Sequence, residues 1–136
     1  MSISRHLALY GFSVVVFLAL DYFWLTRMVP RFYTPRLGHL LATEPRLAVA
    51  GVFYLLYVVG ILYFAVWPGL ESGSMLQAVV RGALFGFFTY ATYDLTNHAT
   101  LRDWPWQVTA LDLAWGTCLN AMVAWTAFLA GRWWGS

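Results

Sequence analysis

Four long apolar runs, at residues 6–26, 47–70, 76–101 and 104–131, take up most of a chain of 136 residues. Each is near or above the ~20 residues a helix needs to cross about 30 Å of hydrocarbon. Spanning strands are about 10 residues long and alternate apolar with polar side chains, which these runs do not. Inside lipid the backbone must satisfy its own hydrogen bonds, and that leaves helices. Composition agrees: 61% of the residues are hydrophobic and 10% are charged, against about 25% charged in a soluble domain. The chain therefore reads as all-α, a polytopic membrane protein whose four transmembrane helices form an antiparallel bundle in a single domain.

Several function classes drop out. The net charge is +2 and the arginines that supply every basic residue are scattered, so nucleic acid is not a partner. The single cysteine, Cys118, excludes an internal disulfide, a thiolate cage and C-x-x-C redox chemistry. No Gly-rich phosphate loop, H-E-x-x-H, G-x-S-x-G or Ser-x-x-Lys occurs, nor the paired Asp-rich motif of membrane CDP-alcohol phosphotransferases. His6 and His98 belong near opposite faces of the membrane, which argues against bis-histidine haem. Arg5 ahead of an apolar stretch resembles a signal peptide, but no A-x-A-like site follows, so the first run reads as a retained span.

The connections differ. Residues 27–46 hold Pro30, Pro35 and Pro45 with Tyr33 and His39, and PRLGHLLATE within them suits the membrane interface. PGLESGS reads as a turn, and in LRDWPWQ Asp103 ahead of Pro105 signals a helix start. Trp67, Trp104, Trp106, Trp133 and Trp134 fall at span ends, where aromatic belts form. The first and third connections carry Arg27, Arg31, Arg36, Arg46 and Arg102; the other side has Arg5, Arg81 and Arg132. That bias predicts both termini in the periplasm and the long first connection in the cytoplasm.

Three aspartates interrupt the apolar runs: Asp21 in LALDYFWLT, Asp94 in TYDLTN and Asp112 in LDLAWGT. A carboxylate in a span is costly, and it usually faces a partner or a site. Counting back from the helix ends at 1.5 Å per residue puts them about 9, 10 and 12 Å deep on the same side. Tyr90, Asp94 and Asn97 follow at i, i+4 and i+7, one stripe of the third helix, with Thr89, Tyr93, Thr96 and Thr100 beside it and His98 nearby. Asp112, Gly116 and Asn120 share a face of the fourth helix, and Ala78, Gly82 and Gly86 form a small-residue ridge on the third. Leu20-Asp21-x-x-Trp24-x-Thr26 is echoed by Leu111-Asp112-x-x-Trp115-x-Thr117, a short match of the kind that inverted repeats leave.

The candidate cluster is Asp21, Tyr90, Asp94, Asn97, His98 and Asp112, supported by Trp24, Tyr93, Trp115, Asn120 and Arg36. Its foremost reading is binding or proton-coupled transport of a small polar or lipid-headgroup ligand, because crowded carboxylates share protons. A carrier this small would work as a homodimer. One alternative is a lipid-modifying enzyme with Asp94 and Asp112 as acid/base or as ligands of a divalent cation; no cofactor is otherwise expected. The other is an accessory subunit of a larger membrane complex, in which the aspartates only accept hydrogen bonds and fix helix register.

YATYDLTNHATLRDWPWQVTALDLAWGT, with LDYFWL near the start and GVFYLLYVVGILYFAV in the second run, resembles a family of small bacterial membrane proteins, a domain of unknown function. The resemblance rests on Asp21, Trp24, Tyr93, Asp94, Thr96, Asn97, Thr100, Asp112, Trp115 and Gly116, and departs at Glu44-Pro45-Arg46. It implies a four-helix protein of the bacterial inner membrane and brings no activity with it.

Overall fold

The computed structural model describes residues 2–135, and no strand occurs among them. Helical conformation runs through α1 (Ile3–Leu37) and α2 (Leu47–Ser72), α3 (Met75–Thr100) and α4 (Trp106–Gly135). α1, α2 and α4 are long and apolar enough to cross a membrane. α3 has comparable length, 26 residues, but its second half carries Tyr90, Asp94, Asn97 and His98.

Successive helices run antiparallel. His6 meets Trp67 while Phe17 meets Tyr54 and Tyr57. Gly69 abuts Ala78 while Gly60 abuts Phe85. Gly82 faces Asn120 and Ala124 while Gly116 faces Tyr90. α1 closes the arrangement against α4, with Phe12 on Trp134 and Trp24 on Trp115.

The first helix extends beyond the expected end near residue 26. Pro30 and Pro35 suggested a break, yet α1 continues to Leu37 through a π-turn at Val29–Tyr33. A proline ring clashes with the carbonyl four residues back, and the wider π-turn relieves that clash while Thr34 N–H bonds to Val29 O, five residues back. Only residues 38–46 are left as an irregular link. α2 repeats the device: a π-turn at Leu62–Val66 precedes Pro68, and helix persists to Ser72. Gly73 then takes the left-handed conformation (φ 68°), and the Ser74 side chain caps α3 by accepting from Gln77 N–H at 3.0 Å.

The most extensive packing is between α3 and α4. Lipid offers no hydrophobic drive for helix association, so close van der Waals contact must supply it. Ala78, Gly82 and Gly86 provide that contact at one helical face. A Cβ on Gly86 would strike the Gly116 carbonyl and the Asn120 side chain, and one on Gly82 would strike Ala124 and the Asn120 carbonyl. Asn120, fully buried, donates to Gly116 O at 2.7 Å within this seam.

A second, smaller core joins the end of α1 to the start of α4. Leu37, Trp104 and Val108 are buried together, flanked by Phe32 and Tyr33. Trp104, expected in an interfacial belt, instead folds inward and donates to Thr109 Oγ1 at 3.0 Å. Asp103 adopts φ 58°, which Asp tolerates better than most residues, and turns the chain from α3 into α4.

Candidate functional site

At the end of the molecule where α1 meets the α3–α4 link, the helices enclose a cavity of about 370 Å³. α1 contributes Asp21, Trp24, Leu25, Val29, Tyr33 and Leu37; α2 contributes Tyr54; α3 contributes Tyr90 and Tyr93; α4 contributes Asp112 and Trp115. Leu41 and Trp104 complete the wall.

The cavity exists because one helical row changes character. Ala78, Gly82, Gly86, Tyr90 and Asp94 recur every four residues along α3. The small members bring α4 close; then the Tyr90 ring lies where a Cβ of Gly116 would be and holds the helices apart. Tyr90 and Tyr93 line the resulting space, and Asp94 sits behind it with no exposed surface.

Phenol and indole donors converge on two of the aspartates. Tyr54 Oη donates to Asp21 Oδ2 at 2.6 Å, and Trp115 Nε1 lies 3.4 Å from Asp21 Oδ1. Tyr33 Oη donates to Asp112 Oδ1 and itself accepts from Trp24 Nε1 at 3.1 Å. The Trp24 and Trp115 rings stack 4.3 Å apart and 6° from parallel, which ties the Asp21 side of the site to the Asp112 side. Bonds of this kind to an ionised carboxylate contribute about 1.5–3 kcal/mol each.

Asp94 differs from the other two. No hydrogen-bond donor reaches either of its oxygens, and its carboxyl lies within hydrogen-bonding reach of the Asp112 carboxyl. Asp21 acts on Asp112 through space as well. Two carboxyl groups in such contact hold together through a proton or a cation placed between them. No group of three or more His, Cys, Asp or Glu among the described residues is arranged to hold a metal ion.

The other candidates named from sequence lie outside this space. Asn97 is half-buried beyond the cavity, against Tyr93. His98 is exposed and its Nδ1 meets Thr109 Oγ1 at 3.2 Å. Arg36 turns back on its own helix, donating to Phe32 O at 3.2 Å with its guanidinium 4.0 Å over the Phe32 ring, so it does not neutralise an aspartate. Asn120 is deeper, in the glycine seam. The sequence reading passed over Tyr33 and Tyr54 as site residues. A usable signal was present: a phenol inside a span must find an acceptor, and aspartates of matching depth are strong ones.

The family model described as "Predicted membrane protein (DUF2177)" matches residues 6–129. The chain belongs to that family. No curated protein and no solved structure matches it. The family description places the chain in a membrane and names no activity, so any function must be argued from the cavity.

Proposed function

We propose that the cavity is a binding site for a small polar or lipid-headgroup ligand, used for transport or proton-coupled exchange across the membrane. One observation carries this reading. A space of about 370 Å³ inside a membrane protein is walled by Asp21 and Asp112, with the unpartnered Asp94 carboxyl directly behind. Purely structural aspartates would be enclosed by their donors, and an empty polar space beside them would serve nothing. The carboxyl contact between Asp94 and Asp112 supports a proton as the coupled species. Five arginines on the cavity side against three on the other support a cytoplasmic-side site in a bacterial inner membrane, with both termini periplasmic.

Trp24, Trp104 and Trp115 line the cavity and report on it directly. Titration of the purified protein with ethanolamine and with glycerol should change tryptophan fluorescence saturably. Asp112→Asn and Asp21→Asn, each checked for unchanged helical content, should weaken the response at least tenfold. A flat response to both probes, or one that both variants leave intact, would overturn the proposal and leave the accessory-subunit role.

A further inference from the structure

A second space adjoins the first. A groove of about 600 Å³ runs between α2 and α3, walled by Val49, Phe53 and Tyr57 on one side and Thr89, Tyr90 and Tyr93 on the other. Val49, Phe53 and Tyr57 recur every four residues, one stripe of α2. Val49 and Phe53 are exposed, so the outer part of the groove opens onto the lipid-facing surface. Its inner end reaches Asp112, and Tyr90, Tyr93 and Asp112 line both spaces. An almost wholly apolar channel thus leads from lipid to a carboxylate.

The donors and acceptors of the polar cavity do not balance. Tyr54, Trp115, Tyr33 and Trp24 have all spent their protons, on Asp21, Asp112 or one another. Both oxygens of Asp94 are left without a donor. Arg36, the half-buried arginine of the α1 end, is occupied with Phe32. The site therefore lacks donors and positive charge, and a phosphate or carboxylate head would find neither. A head that brings both, an ammonium, fits the deficit, and the aromatic walls suit a cation.

Resting on the binding function proposed above, we infer that the occupant is a membrane amphiphile with a primary ammonium head and a single alkyl chain, entering sideways between α2 and α3. The head lies against Asp112 and the chain along the Val49–Phe53 stripe. The chain gains little from the groove relative to lipid, since both are apolar. What the groove supplies is a route by which the head reaches Asp112 without its chain leaving an apolar phase.

Calorimetric titration in nanodiscs, with partition into protein-free discs subtracted, tests this with dodecylamine, ethanolamine and dodecyl phosphate. Dodecylamine should bind at least tenfold tighter than dodecyl phosphate. Val49→Phe, at an exposed position where folding is not at stake, should weaken dodecylamine at least tenfold and leave ethanolamine unchanged. Phe53→Ala, which removes the groove wall, should weaken dodecylamine alone as well. If the groove variants leave dodecylamine untouched while Asp112→Asn still weakens ethanolamine, the lateral amphiphile is overturned and the binding function stands. Tighter binding of dodecyl phosphate would overturn the ammonium head. Failure of both amines to bind would remove the binding function and this inference together.

Discussion

The same two helices, α3 and α4, behave differently along their length. From Ala78 to Gly86 they approach so closely that no side chain fits between the glycines and the opposing backbone. From Tyr90 onward the same row of α3 holds them apart around a polar cavity. One half is dry and fixed by small residues; the other is open and held by long side chains that reach across it. A membrane protein cannot use hydrophobic burial to hold a cavity open. Here the glycine seam supplies the adhesion that lets the aromatic half carry unpaired carboxylates.

That division can be broken from either side. Gly86→Ala should cost most, about 3 kcal/mol from overpacking against Gly116 and Asn120, read as a loss of folded protein in a thermal or denaturant assay. Tyr33→Phe and Tyr54→Phe should each cost about 2 kcal/mol by removing a donor from an aspartate. The two should be additive, because they serve different carboxylates. Asp94→Leu should act in the opposite direction, raising stability by about 1 kcal/mol as an unpartnered buried group is removed. A fall in stability there would mean that Asp94 has a partner holding the bundle together. Smallest of all, Gly11→Ala should stay within about 0.5 kcal/mol of the parent, because a methyl group there meets open space. If Gly11→Ala equalled Gly86→Ala in cost, the seam would not be special.

Much of the fold was legible because its signals are local. Apolar runs set the helices, and Gly73 with Ser74 set the turn before α3. Counting residues from the helix ends was enough to give Asp21, Asp94 and Asp112 a common depth. What counting could not give was rotation about the helix axis. Asn97 and His98 are at nearly the same depth as Asp94, yet one lies beyond the cavity and the other bonds to Thr109. Tyr33 escaped for a different reason. Pro30 and Pro35 signalled an end to α1, and the π-turn that carries the helix past them has no sequence signature apart from the prolines it accommodates.

That π-turn makes the site sensitive to chain length as well as to side-chain identity. The turn holds one residue more than an α-helical turn would, and Tyr33 lies at its end. Deleting one residue from Val29–Arg31 would restore ordinary α-helix and rotate everything after it by about 100°. The spans would keep their lipid faces while the Tyr33 hydroxyl swung off Asp112. A single-codon deletion would thus disconnect the α1 end from the carboxylates with no substitution at either partner, and a compensating insertion nearby would reconnect it.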